Sequence, residues 1–545
     1  MRPLPGAAAA TVAGGEPGAT RSATLCLPGL RRTMSARDFQ VVVVGSGFAG
    51  SLAAMMARRL GFSTALIERG RHPRFAIGES STPLANLLLE EIAIQYDLPF
   101  LRPLCKWGSW QEKNPDIACG LKRGFTFYHH RLGRPFQHDA GGKRQLMVGA
   151  SPAEKVADTH WYRPDFDHYL VRQAQNLGVD YQDETELERA TEETTRMRLT
   201  GNRRGQSVNL TAEFVIDASG PRGFLHRALH LPEKSMEGFP ATQALFSHFD
   251  GVLPLPPCFT DGHPPYPPER AAVHHVFNGG WIWVLQFNNG LTSAGVAAKA
   301  PLAERFQFQS GEVAWRNLLR ELPSLGESFG AARAVIPFVW QPRVAFQSAV
   351  ITGWRWALLP SAAGVVDPLL STGFPLTLLG LQRLAGILRT QGHARFESDL
   401  DDYARLTTLE LETTARLVSA LYATMDDFDA FRELSLLYFA AASYSEATRR
   451  LGKTGQDFLL CRDPVFAPQL RELCETNSRN LMQRVRQAIE PIDVAGLTDR
   501  SRHPWYPALT SDLFSNAHKL DASKEEILLM LERCGLTGAA PVCVR

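Results

Sequence analysis

Phe39-Gln40-Val41-Val42-Val43-Val44-Gly45-Ser46-Gly47-Phe48-Ala49-Gly50, closed eighteen residues later by Glu68, is the stretch whose reading decides the fold. Four consecutive valines predict a strand buried on both faces, the habit of a parallel sheet. The strand runs into G-x-G-x-x-G at Gly45, Gly47 and Gly50, and Leu52, Ala53, Met56, Ala57 and Leu60 then recur at helical spacing. A second short strand, Thr64 to Ile67, delivers Glu68. Gly45 allows the tight turn, Gly47 lets the backbone approach a pyrophosphate, and Gly50 lets helix and strand pack closely. Phe48 and Ala49 open the helix, whose unpaired N–H groups and positive dipole end attract phosphates. Glu68 is placed to accept a hydrogen bond from a ribose 2′-OH. A bare G-x-G-x-x-G is common by chance. With strand, helix, second strand and acid all in order it predicts a dinucleotide site, against the competing reading of a glycine turn in an ordinary βαβ unit.

Composition narrows the classes. The 545 residues are 44% hydrophobic and 21% charged, ordinary for a globular protein and enough for one large two-part enzyme or about three small domains. A net charge of +2 argues against a nucleic-acid-binding surface as the main business, and no lysine or arginine run suggests one. Eight cysteines without a C-x-x-C pair indicate neither a zinc site nor a disulfide framework, so a reduced, cytoplasmic setting is expected. No stretch reaches the ~18 uninterrupted apolar residues of a membrane span. Residues 1–33 are rich in Ala, Gly, Pro and Arg, with Glu16 the only acid. They lack the apolar core of a secretion signal and are expected to be a disordered extension, with Met34 the functional beginning.

Outward from the turn, Gly78-Glu79-Ser80 follows Arg74-Phe75 in a loop that leads to a helix from Leu84 to Tyr96. Next comes Lys106-Trp107-Gly108 in LCKWGSW. The Gly/His/Arg-rich stretch GLKRGFTFYHH reads as a substrate-domain strand with polar edges, on which the adjacent His129 and His130 point apart rather than toward one metal. Arg163 begins RPDFDHYL, a helix with Leu170, Ala174 and Leu177 on one face, and alternation from Val179 to Val208 predicts an antiparallel ribbon. Phe214 to Gly223 reads as a strand ending in Asp217-Ala218-Ser219-Gly220. The proline-dense Pro254 to Pro268 reads as a loop. Trp281 and Trp283 alternate on a strand and so share a face, a plain core pair being the alternative. A strand near Trp356 feeds Ser361-Ala362-Ala363-Gly364, then Asp367-Pro368, then Ser371-Thr372-Gly373 opening a helix. From about Asp399 the pattern is helical, with Leu406, Leu409, Leu411, Leu417 and Leu421 near one stripe and a capping box at Ser523 and Glu526.

These elements, in this order over residues 39–395, resemble the flavin-dependent halogenases, of tryptophan and phenol type, within the FAD monooxygenases of the p-hydroxybenzoate hydroxylase fold. The resemblance implies an α/β protein: a Rossmann-like FAD-binding domain with an inserted mixed β-sheet substrate domain (34–398) and a C-terminal helical region (399–545). It assigns Gly45, Gly47, Phe48, Ala49, Gly50, Glu68, Gly78, Glu79, Ser80, Arg163, Asp217, Gly220, Ser361, Asp367, Pro368, Thr372 and Gly373 to FAD. Thr372 and Gly373 also cup the halide. Lys106 is similar to the lysine of phenol-type enzymes, which holds hypohalous acid as a chloramine or by hydrogen bond, with an idle surface lysine as the alternative. Trp281 and Trp283 match the W-x-W that crowds the passage from flavin to substrate, although Leu285-Gln286 replaces the family's Ile-Pro. Two further departures stand out. Ser361 replaces the aspartate that holds the ribityl chain, and Leu370 replaces the glutamate that tryptophan-type enzymes carry before S-T-G.

With no second G-x-G-x-x-G for NADPH, the resemblance implies FADH2 from a separate flavin reductase, together with O2 and halide. The substrate would be a small or carrier-bound electron-rich aromatic. The alternatives are an FAD monooxygenase or reductase acting on a hydrophobic substrate, and a flavoprotein fold with degraded binding.

Overall fold

The computed structural model describes residues 37–536 apart from 140, 257–258, 260–262, 454–456 and 476–479, so the expected extension at 1–33 and part of the proline-dense loop lie outside the described residues. The valine strand spans Arg37–Val44, and Val41 to Val44 are buried, as a strand covered on both faces requires. Beside it in parallel run Gln206–Asp217 on one side and Thr64–Ile67 on the other, extended outward by Trp356–Leu358 and Asp180–Gln182. Thr185–Glu192 and Met197–Arg203 form the antiparallel ribbon against the first half of Gln206–Asp217. The segment read as a separate strand near Phe214 is therefore the far half of one long strand.

The helix Phe48–Arg59 crosses from the first strand to the second, with its residues from Phe48 to Ala57 buried. The helix after the G-E-S loop spans Pro83–Gln95. Thr82 caps it by accepting from the amide of Ala85, and proline at the first helical position fits the missing N–H.

A second, nine-stranded mixed sheet carries Thr242–Asp250, Thr292–Lys299, Gly280–Gln286, Ala272–Phe277, Gly124–His129 and Gln145–Gly149 in that spatial order. Gly124–His129 is buried except at its end, not polar-edged as its composition indicates, because both faces are covered. His129 and His130 do point apart: one reaches the carbonyl of Met425, the other pairs with His275 at 2.9 Å. A separate two-stranded ladder, Cys119–Lys122 against Asp158–Trp161, stands next to the G-E-S loop, where Ser80 bridges to His160.

From Phe396 onward the described elements are helical except for Trp505–Tyr506, which pairs in parallel with Gln145–Gly149. Two long helices, Phe396–Ala423 and Phe428–Arg450, pack on the rest of the core. The capping box forms at Ser523 and Glu526. No helix among the described residues is long and apolar enough to cross a membrane.

Candidate active site

The dinucleotide turn is built by close backbone approach. Gly45 lies at φ +95°, and a Cβ there would stand 2.6 Å from the carbonyl oxygen of Ala218; at Gly50 it would stand 1.8 Å from that of Gly45. Both positions therefore exclude any other residue. Gly47 is limited from the opposite direction, because the nearest atom to a Cβ would be Nη2 of Arg163 at 3.2 Å. Arg163 grips Asp167 through Nε at 2.8 Å and Nη2 at 2.7 Å, and its Nη1 donates to the carbonyls of Ile77 and Gly78. Four of its five N–H donors are thus used, and the fifth is on the nitrogen beside Gly47. The helix from Phe48 begins with no side-chain cap, leaving its first amides for a phosphate.

Glu68 is buried, which alone would raise its pKa. The charge of Arg74 and the amides of Gly70 and Ser46 outweigh burial and bring it down to about 2. Oε2 receives Ser46 N, Ser46 Oγ and Arg74, while Oε1 receives only Gly70 N and keeps room for a hydroxyl. Asp217 acts through the backbone: it accepts from Ser219 N, Ser219 Oγ and Leu225 N, and so fixes the A-S-G turn that packs on Gly45. Gly220 lies at φ +87° with open space where a Cβ would be. Glu79 pairs with the buried His248 at 2.7 Å. This cradle fits FAD: glycine backbone and helix amides for the pyrophosphate, Arg163 over the turn, and Glu68 for the ribose.

The second half of the cradle is the turn from Asp367 to Gly373. Leu370 at φ 65° and Ser371 at φ 56° are consecutive left-handed non-glycine residues. Each costs about 1–3 kcal/mol and persists only where its surroundings over-determine it. Asp367 Oδ1 accepts from Leu369 N at 3.0 Å, and Tyr438 donates to the carbonyl of Leu370 at 2.9 Å. Thr372 is buried and makes no capping bond to the helix Gly373–Leu388, and a Cβ at Gly373 would meet nothing within 4 Å. The uncapped helix opening leaves amide donors of the kind that could hold an anion or a flavin carbonyl. Pro368 accepts Ser371 N within this turn. Ser361 is half-buried in the short helix Pro360–Ala363.

Trp281 ties this turn to the second sheet. Its Nε1 donates to Asp367 Oδ1 at 3.2 Å, and Tyr422 donates to Asp367 Oδ2 at 2.9 Å. Burial pushes Asp367 up to about 7, against the opposing pull of Leu369 N, Tyr422 and Trp281. Trp281 and Trp283 are buried with ring centroids 5.7 Å apart. Trp283 fills the space that Gly295 leaves: a Cβ there would stand 2.4 Å from its ring. Trp281 stacks on His274 at 5.1 Å, and His274 on Phe125 at 5.8 Å.

That aromatic path ends on Lys122, whose ammonium lies 3.9 Å from the centre of the Phe125 ring. Lys122 is fully buried and donates to Ser80 Oγ at 2.9 Å and to the carbonyl of Ser81 at 2.5 Å. Two of its three donors are thereby engaged and one is left. Burial lowers its pKa and raises that of its cross-strand partner Asp158, each charge partly offsetting the other's shift. Gly120, two residues earlier, is where a Cβ would stand 2.0 Å from the carbonyl of Gln286, so the end of the tryptophan strand rests directly on the lysine's strand.

Adjoining this group is a cavity of about 210 Å³ lined by Thr82, Asn86, Phe125, Asp158, Pro375 and Tyr438, among others, and reached by the C-terminal residues Met530 to Cys534. A dry cavity of about 150 Å³ holds benzene, so this one suits a small aromatic ring. Lys106 also lines it, half-buried, with its ammonium on the carbonyl of Cys534 at 2.9 Å. Trp110 points away to stack on Phe166. Ser80 and Ser81 of the G-E-S loop hold Lys122, which reaches Trp281 only by way of Phe125 and His274; Lys106 lines the cavity, whereas Lys122 touches its wall through Phe125. The sequence signal for Lys122 was slight: a lysine between Gly120 and Gly124 in a stretch otherwise read as a plain strand.

The strand–glycine turn–helix unit, with Glu68 directly after its second strand, is the arrangement by which FAD-dependent oxidoreductases hold their cofactor. The family model described as tryptophan halogenase matches residues 159–433, just over half of the chain, and one described as FAD binding domain matches 40–248. The chain belongs to the tryptophan halogenase family and is an FAD-dependent halogenase using FADH2, O2 and halide. Among its relatives is monodechloroaminopyrrolnitrin halogenase PrnC of Pseudomonas fluorescens, 29% identical over 407 residues, covering 73% of this chain and 70% of the relative. Tetracycline 7-halogenase of Kitasatospora aureofaciens is 26% identical over 521 residues, covering 86% and 90%. The crystal structure of halogenase PltM shares the fold with a TM-score of 0.76 at 23% identity, covering 86% of this chain and 99% of that one.

Proposed function

We propose that this halogenase places a halogen on a small electron-rich aromatic ring bound in the 210 Å³ cavity, and that Lys122 presents the halogenating species to it. The observation that carries this is the burial of Lys122 between the G-E-S loop and two residues of the cavity wall, Phe125 under its ammonium and Asp158 opposite it in register, with one donor unspent.

Reduced FAD, when bound, supplies the electrons by which O2 oxidises halide to hypohalous acid. Gly45, Gly47, Gly50, Phe48, Ala49, Glu68, Arg163 and Gly220 would hold its ADP half. Gly78, Ser80, Ser361, Asp367, Pro368, Thr372 and Gly373 are the residues offered to its flavin half, and the amides around Thr372 and Gly373 attract halide. Glu79 and Asp217 hold the two flanking loops in place.

Trp281 and Trp283 close the space between the strained turn and Lys122 and keep the organic substrate from the flavin. Lys122 donates a hydrogen bond to the oxygen of hypohalous acid, which makes the halogen more electrophilic. It titrates more readily than a surface lysine because burial disfavours its charge. Reduced flavin comes from a separate reductase.

The test combines purified protein, FAD, a generic flavin reductase with NADH, air and bromide with a panel of small phenols and pyrroles. Monobrominated product by mass spectrometry supports this function. Flavin oxidation and peroxide with no brominated product under any halide would transfer the assignment to a monooxygenase or reductase.

A further inference from the structure

Asp158 is the carboxylate of the cavity wall that is left incompletely satisfied. Its Oδ1 accepts from Asn86 Nδ2 at 2.8 Å, and Asn86 is itself fixed by Ser81 Oγ at 3.1 Å. Its Oδ2 is buried and has no partner. The other charged groups of the same wall are engaged: Glu446 with Arg450 at 2.7 Å, and Lys106 with the carbonyl of Cys534. The acid of the strained turn, Asp367, has both carboxylate oxygens taken by Leu369 N, Trp281 and Tyr422. A buried carboxylate oxygen without a donor is costly unless something that enters the site supplies one.

We propose that Asp158 takes the hydroxyl proton of a phenolic substrate, which makes it the general base of ring activation and a selector for rings carrying an O–H. This rests on the halogenase reading with Lys122. Asp158 removes the O–H proton as a ring carbon forms the C–X bond and the X–O bond of hypohalous acid breaks. The bonding pair leaves on oxygen, and that hydroxide takes a proton from the Lys122 ammonium and departs as water. The neutral Lys122 amine then accepts the ring C–H proton, the C–H pair restores aromaticity, and Asp158 returns its proton to the phenolate. Phenol and hypohalous acid become halophenol and water, the ring is oxidised, the halogen is reduced, and both side chains end as they began.

The test compares wild type, Asp158→Asn and Asp158→Glu, each as the FAD-loaded full chain with reductase and bromide, on phenol and on 4-nitrophenol at mildly alkaline pH, where only the latter is largely ionised. A general base contributes about 10²–10⁴-fold. Asp158→Asn should lose about 10²-fold in kcat/KM on phenol and less than tenfold on 4-nitrophenol, and Asp158→Glu should recover part of the phenol loss. Equal losses on both substrates, or no loss on phenol, would overturn the role of Asp158. Wild type that brominates neither substrate while oxidising flavin would instead sink the halogenase reading beneath it.

Discussion

Lys122 and Asp158 stand directly opposite each other in the antiparallel ladder Cys119–Lys122/Asp158–Trp161. Facing pairs in such a ladder have Cβ atoms about 4.5–5.5 Å apart, so the backbone sets an amine and a carboxyl group side by side between Ser80 and Ser81 of the G-E-S loop and the cavity that Asp158 lines. Burial pushes each toward its neutral form, and neither can drift to solvent. The two face each other in register without a direct ion pair, Lys122 bonding to Ser80 and Ser81 and Asp158 to Asn86. That leaves a Lys122 N–H and Asp158 Oδ2 open.

Gly50→Ala should destroy the cofactor site. The new Cβ would fall 1.8 Å from the carbonyl oxygen of Gly45, backbone against backbone, with no flexible end to move. A destabilisation of about 3 kcal/mol is expected, with loss of bound flavin absorbance on purification. Wild-type flavin content in this variant would show that the turn does not have this geometry.

Gly295→Ala should dislodge Trp283, since the methyl would meet its ring at 2.4 Å and Phe246 Cβ at the same distance. Overpacking of this kind costs about 1–3 kcal/mol. The accompanying functional sign is a leaky wall, with a larger share of hypohalous acid reaching a soluble trap than the ring substrate. Urea unfolding and the partition between trap and product measure the two effects.

Asp367 gives a pH signature. Its folded-state pKa is raised to about 7 by burial, so the native state holds that proton after the unfolded chain has released it. Stability from this group is full below its unfolded value near 4 and falls as pH rises toward 7, by at most about 1.4 kcal/mol per unit. Asp367→Asn cannot ionise. The wild-type-minus-variant difference in unfolding free energy should therefore decline between about pH 4 and pH 7 and level off above; a difference that is flat, or that rises, contradicts the assignment.

The cofactor half of this site was legible because its determinants are local. G-x-G-x-x-G, the acid at Glu68 and the S-T-G helix opening each impose their geometry within a few residues, and the two helices they open meet where Phe48 packs on Phe374 at 4.8 Å. Lys122 was not legible, because its position is created by pairing with Asp158 and by reaching Ser80, which is 42 residues away. Lys106, beside an aromatic-glycine pair, carried the stronger local pattern, yet its ammonium ends on the Cys534 carbonyl. The Trp281–Asp367–Tyr422 network was equally hidden, since Tyr422 comes from a C-terminal helix in which no short motif marks chemistry. The strain at Leu370 and Ser371 has no sequence signature either, because neither residue favours positive φ.

The most direct measurement is bromination of a small phenol by the FAD-loaded protein with reductase, NADH and bromide, run in parallel for wild type, Lys122→Ala and Lys106→Ala. The account predicts that Lys122→Ala loses product by at least about 10²-fold while still oxidising reduced flavin in air, and that Lys106→Ala stays within about tenfold of wild type. Full bromination by Lys122→Ala, with product lost only in Lys106→Ala, would contradict it and return the lysine role to Lys106.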